Sequence, residues 1–128
     1  MYPVSKPAKP VSDAIAWKSL QALVQRFQFS EAEATVLMGE MPRSTYQKGL
    51  HQHVGKLNRD QKARVSYLLG IYMSLRILFA DSAQALTWID RSNTLPPFNG
   101  ITPKQFMLEG SLVRLAEVRR FLDFWRGY

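Results

Sequence analysis

The side chains best suited to chemistry lie close together in the first half of the chain. Arg43, Ser44, Thr45, Gln47 and Lys48 stand almost side by side, and His51 follows one helical turn later. Arg and Gln can make paired hydrogen bonds to guanine and adenine edges, whereas Lys and Ser suit phosphate oxygens. The chemistry these types support is reading a DNA duplex, not making or breaking bonds. His51 and His53 are two residues apart, so on a helix they point about 200° away from each other and cannot chelate one metal. The absence of cysteine excludes disulfides and thiolate metal sites. No Ser or Cys has nucleophile-elbow spacing, and no Gly-rich loop could cradle a phosphate. The carboxylates are few and scattered, which leaves no acid/base pair. No catalytic, cofactor-binding or metal site is assigned, and no enzymatic activity is expected.

Short helices must position these side chains. Ser12 or Asp13 can cap a first helix to about Gln28, with Trp17, Leu20, Leu23, Val24 and Phe27 as its apolar stripe. Ser30-Glu31-Ala32-Glu33 reads as a capping box for a second helix, Glu31 to Met38, that Gly39 stops. Ser44 can then cap a third helix from Thr45 to about His53, with Tyr46 and Leu50 turned inward. Two short helices about a Gly-containing turn, after a longer one, make a helix-turn-helix pattern. The third helix would enter the major groove, although Gly49 inside it costs roughly 1 kcal/mol against alanine. A three-helix bundle that only supports structure would show the same pattern.

Asn58 caps the longest predicted helix, Arg59 to Phe79. Val65, Leu68, Leu69, Tyr72, Leu75 and Phe79 share its broad apolar face, which leaves a narrow strip around Ser66, Gly70 and Ser74. Such a helix is expected to be buried or shared with a second subunit. Gly70 and Ser74 would let another helix approach closely. Asp81 opens a fifth helix, Ser82 to about Asp90.

Beyond a loop over residues 91–100, Thr102-Pro103 starts a short helix, Gly110 ends it, and Ser111 caps the last helix, about Leu112 to Arg126. That helix has two apolar faces. Leu112, Leu115, Val118 and Leu122 form an aliphatic one, and Phe121, Phe124, Trp125 and Tyr128 an aromatic one. One face suffices to dock a helix on its own core. The second fits a terminal helix buried on both sides, a homodimer contact or a partner-docking surface.

Charge is uneven along the chain. Of the net +7, residues 1–64 carry +5 and residues 65–128 carry +2, so the basic half is the one with the helix-turn-helix pattern. Residues 1–11, with Pro3, Pro7 and Pro10 around Lys6 and Lys9, read as a flexible arm. The longest apolar run, Tyr67 to Phe79, has 13 residues and contains Arg76, too short to span a bilayer. No signal peptide is visible, and a cytoplasmic protein without membrane contact is expected.

Two blocks resemble a known family. Met41-Pro42-Arg43-Ser44-Thr45-Tyr46 looks like the turn and recognition-helix start of the Xre/MbcA/ParS-type antitoxins. Trp88-Ile89, Asn93, Phe98-Asn99-Gly100-Ile101-Thr102-Pro103, Met107-Leu108-Glu109-Gly110, Val118-Arg119-Arg120-Phe121-Leu122 and Gly127 resemble their toxin-binding region. The likeness covers roughly residues 17–128, and the chain departs from it near Gly49, where members commonly have a bulky aromatic. It implies an all-α fold: an Xre-like helix-turn-helix bundle over 12–58, a long buried connecting helix over 59–80 and a small helical toxin-binding region over 81–128. It further implies a type II antitoxin that inhibits a NAD-consuming RES-domain toxin and represses its own operon at operator DNA, as a homodimer within a larger complex. The DNA-contacting residues would be Arg43, Ser44, Thr45, Gln47, Lys48 and His51. The toxin contacts would be Asn93, Phe98, Arg119, Arg120, Phe121, Phe124, Trp125 and Tyr128. The alternative is a stand-alone helix-turn-helix regulator whose C-terminal region only dimerises.

Overall fold

The structure, a computed structural model, describes residues 11–127. The arm assigned to residues 1–11 lies outside that range except for Val11, and so does Tyr128. Among the described residues the fold is all-helical: α1 (Asp13–Phe27), α2 (Glu31–Leu37), α3 (Arg43–Gln52), α4 (Arg59–Leu78), α5 (Ser82–Thr87), α6 (Pro103–Met107) and α7 (Leu112–Trp125). A single 3-10 turn, Trp88–Asp90, takes over the end of the expected fifth helix. No helix here is long and apolar enough to cross a membrane.

Local chemistry sets most of the boundaries. The Ser12 hydroxyl accepts from the Ile15 N–H at 3.2 Å and starts α1. Ser30 and Glu33 form a reciprocal capping box on α2, Asn58 and Gln61 one on α4, and Thr102 and Gln105 one on α6. The start of α3 corrects the expected cap at Ser44. The helix begins at Arg43, with Pro42 at the N-cap and no side-chain cap bond. The fixed φ of Pro42 already turns the chain into the helix, so Ser44 falls within the first turn with its side chain exposed.

Helix α4 is the axis of the molecule. At one end of α1, Asp13 pairs with Lys62 at 3.3 Å, and at the other the Arg26 guanidinium donates to the Tyr72 hydroxyl at 3.0 Å, so the two helices run in the same sense. Helix α7 also runs parallel to α4. Arg64 reaches the Gly110 carbonyl before α7, and Arg126 donates to the Ser74 hydroxyl at its end. Gly70 and Ser74 are buried under α7, in line with the close approach their size allows. The exposed side of α4 is not where its composition placed it. Leu69, Met73 and Ile77 face solvent at 38%, 54% and 61% exposure, while Val65, Leu68, Ile71 and Leu75 face the core. α1 and α7 flank the axis, so the side of α4 that carries Ser66, Leu69, Met73, Arg76 and Ile77 stays open.

Two glycines are explained by close approach. Gly49 on α3 lies against the ring of Trp17, which is fully buried and donates from Nε1 to the Gly55 carbonyl at 2.8 Å. A Cβ at Gly49 would overlap the six-membered part of that ring. The helix-propensity cost of Gly49 is thus the condition for seating α3 on the core. Gly70 gives room to the Arg119 guanidinium, the movable end of a long side chain.

A polar tie joins the two halves. The Lys104 ammonium on α6 lies 2.8 Å from Glu33 on α2 and 3.7 Å from Asp90. Partial burial pushes the Glu33 carboxyl up, but Lys104 and the Ser30 N–H outweigh it and hold the group below its ordinary 4.5. Burial pulls Lys104 down, yet Glu33 and Asp90 together raise it above 10.5.

Gly49→Ala should lower stability by about 2 kcal/mol in urea denaturation, because overpacking against Trp17 exceeds the gain in helix propensity. Gly70→Ala should cost less than about 1 kcal/mol, since Arg119 can swing aside. The Glu33 contribution is present above the ordinary carboxylate value and lost as pH falls through its depressed folded value. The Lys104 contribution is present below 10.5 and lost as pH rises through its raised folded value. Lys104→Met should therefore flatten the stability–pH curve below about 4.5 and above about 10.5.

Candidate nucleic-acid and partner surfaces

Helix α3 divides its residues cleanly by face. Tyr46 and Gly49 are buried and Leu50 is half-buried. Arg43, Ser44, Thr45, Gln47, Lys48 and His51 are all exposed along the other side. The structure therefore brings all six expected DNA contacts onto one open helix face, with two fixed positive charges and several hydrogen-bonding groups. Burial, and secondarily the charge of Glu31, raises the Tyr46 hydroxyl above its ordinary 10.0, so it stays a neutral anchor under that face.

One residue of this surface escapes sequence reasoning. Glu31, at the start of α2, forms an ion pair with Nε of Arg43. It also accepts from the Gln47 amide at 3.2 and 3.3 Å. Its local context marks it only as part of a capping segment. Nothing nearby signals a partnership across twelve and sixteen residues, which exists only once the turn folds α3 back beside α2.

His51 and His53 do not meet. His51 is exposed, and His53 Nε2 shares a 2.9 Å hydrogen bond with Gln21 Oε1. Among the described residues, no group of three or more His, Asp or Glu side chains could hold a metal ion.

The second surface is aromatic and layered. Phe98, only 2% exposed, sits at its base with ring centroids 5.8 Å from Trp88, 5.2 Å from Phe106 and 5.0 Å from Phe121. Phe121 is half-buried and reaches Trp88 at 5.9 Å and Trp125 at 6.2 Å. Phe124 and Trp125 form the outer layer at 71% and 54% exposure. Phe98 thus supports this surface from the core instead of forming part of it.

Two clefts flank Phe121. One, of about 310 Å³, lies between Leu78, Phe79, Trp88, Asn93, Leu95 and Trp125. The other, of about 440 Å³, is bounded by Pro96, Pro97, Glu117, Arg120 and Phe124. Asn93 builds the wall of the first: its backbone N–H donates to the Ile101 carbonyl, its carbonyl accepts from the Gly100 N–H, and Oδ1 accepts from the Leu95 N–H. Arg120 is exposed at the rim of the second. Arg119 points elsewhere, packing over Gly70 and donating to Asp123 at 2.9 Å. The structure therefore gathers Asn93, Arg120, Phe121, Phe124 and Trp125, sets Phe98 beneath them and turns Arg119 to α4.

Comparison with known proteins bears on both halves. Residues 6–70 match the family model described as the antitoxin Xre-like helix-turn-helix domain, a match that runs through α1, α2 and α3 into α4. The chain is also 35% identical over 105 residues to the uncharacterised protein y4oB of Sinorhizobium fredii (strain NBRC 101917 / NGR234), covering 82% of this chain and 79% of that protein.

The layered arrangement makes a stability prediction. Phe98→Ala should cost about 3–5 kcal/mol, the loss expected for a fully buried aromatic. The double change Phe124→Ser, Trp125→Ser should cost no more than about 1 kcal/mol, as expected for exposed positions. Denaturant midpoints of the two variants check the ordering.

Proposed function

Because this chain belongs to the antitoxin Xre-like helix-turn-helix family, we propose that it is the antitoxin of a type II toxin–antitoxin pair. It binds and inhibits a NAD-consuming RES-domain toxin through the aromatic surface, and it represses its own operon by docking α3 in the major groove of operator DNA. The observation that carries the reading is one fold presenting two open surfaces of opposite chemistry. One is the polar, basic face of α3. The other is the exposed pair Phe124 and Trp125 beside two clefts. Exposed aromatics beside preformed clefts are the anchors protein interfaces favour, and a helix with Arg, Gln and Lys outward suits groove and phosphate contacts.

The protein takes no part in catalysis in this reading. Inhibition consists of covering the toxin active site, with Phe124 and Trp125 anchoring the contact, Arg120 supplying a polar rim contact and Tyr128 extending it. It works in the cytoplasm, where operator and toxin are both within reach. A homodimer matches a two-fold operator. Its contact is the apolar groove of about 730 Å³ between α1 and α4, lined by Val11, Ile15, Val65 and Leu69 and continued by Met73 and Ile77.

Coexpression with the toxin encoded next to it tests the first half. The wild-type chain restores growth, and the Phe124→Ser, Trp125→Ser variant does not, although it folds. Rescue by that variant would show that the aromatic surface is not the toxin contact. A stand-alone regulator would instead bury these aromatics between two of its own copies, and no toxin would copurify with it. For the second half, Lys48→Ala should weaken binding to the duplex upstream of the coding sequence. It should reduce the slope of log affinity against log salt by about one, because one fewer phosphate is neutralised by the protein. Toxin neutralisation should survive this change.

A further inference from the structure

The carboxylate of Glu31 stands beside the reading face of α3, where an anion is costly. In a helix-turn-helix the helix before the recognition helix, here α2, crosses the DNA backbone, and a negative charge there repels phosphates. The geometry shows what offsets this. Glu31 engages Nε of Arg43 and accepts from the amide of Gln47. The Arg43 side chain is otherwise 77% exposed, so little else limits its rotamers.

We infer that Glu31 is a positioning residue for base recognition, holding Arg43 and Gln47 in the conformations that read the major groove. This rests on the DNA-binding reading above and deepens it. With Nε engaged by the carboxylate, the Nη1–Nη2 end is the part of the Arg43 guanidinium offered to a base. Those two nitrogens form the fork that donates to O6 and N7 of a guanine. Gln47 spends one amide N–H on Glu31 and keeps the other, together with its carbonyl oxygen, for an adenine edge. Ordering both side chains before DNA arrives means that less freedom is lost on binding. The base that Arg43 addresses is therefore a guanine, and its discrimination depends on a residue that does not itself touch it.

This role has a signature that a merely structural one lacks, because specificity falls while general affinity does not. Removing the carboxylate loosens Arg43 but also removes a charge that repels phosphate. The full-length protein, as wild type, Glu31→Ala, Glu31→Gln and Arg43→Ala, is used to select from a pool of duplexes randomised over the binding site. Affinity for unselected duplex is measured alongside. Wild type should enrich a guanine that Arg43→Ala no longer selects. Glu31→Ala should lower preference for that same guanine by about tenfold, part of the discrimination a bidentate pair supplies. It should bind unselected duplex as tightly as wild type or more tightly. Glu31→Gln keeps an oxygen acceptor for Arg43 and should fall between them, and its thermal melt reports whether the fold persists. Undiminished guanine preference in both Glu31 variants, or a selected site with no guanine dependent on Arg43, overturns this inference alone. Absence of any duplex binding by wild type overturns it together with the DNA-binding reading.

Discussion

A buried guanidinium holds this fold together. Arg64, 7% exposed, donates from Nε to Asp60 at 2.7 Å and from Nη1 to the carbonyls of Leu37 at 3.0 Å and Gly110 at 2.8 Å. Those acceptors belong to three places: α4 itself, the end of α2 and the turn before α7. An unpaired charge at this depth would cost several kcal/mol, so the three elements are held at the positions that satisfy it. Gly39, in the turn between α2 and α3, lies 3.3 Å from the same guanidinium by the position of its would-be Cβ. The turn that aims α3 and the turn that launches α7 thus rest on one side chain of the central helix.

From that junction, each exposed surface is backed by a rigid apolar layer. Trp17, in contact with Gly49 and hydrogen-bonded to Gly55, seats α3 from beneath. Phe98 and Phe121 do the same for Phe124 and Trp125. Edge and tilted ring contacts resist sliding, and a tryptophan with its N–H satisfied has no reason to rotate toward water. The outward residues can then vary in chemistry at little cost to the fold, polar and basic on α3 and aromatic on α7. The Lys104–Glu33 pair adds a second tie between the halves at the rim.

Much of this is legible along the chain wherever the deciding interaction is local. The caps at Ser12, Ser30, Asn58, Thr102 and Ser111 announce helix starts because a side chain two or three residues away satisfies the free N–H groups. The outward face of α3 and the aliphatic face of α7 follow from periodicity alone. The Met41–Tyr46 block carries the part of the antitoxin likeness that falls within the family match over residues 6–70. Features that depend on what lies opposite are not legible in this way. Pro42 displaces Ser44 as the start of α3, and Leu69 faces outward, against its periodicity, because α1 and α7 leave its side open. Gly49 is a defect by helix propensity and a necessity only because Trp17 packs against it.

By itself the sequence determined an all-α chain, the order and approximate limits of its helices, a basic half and an aromatic end. Each of these depends on covalent neighbours within about one helical turn, where hydrogen-bond geometry and the 3.6-residue period leave little choice. Only the tertiary structure decided that Glu31 grips Arg43 and Gln47, that Phe98 is a foundation, that Arg119 turns to Gly70 and that Arg64 ties three elements. Those outcomes depend on which faces meet between residues far apart along the chain. That is settled by the shared packing of the core and the need to satisfy every buried charge at once, so no short stretch of the chain encodes them.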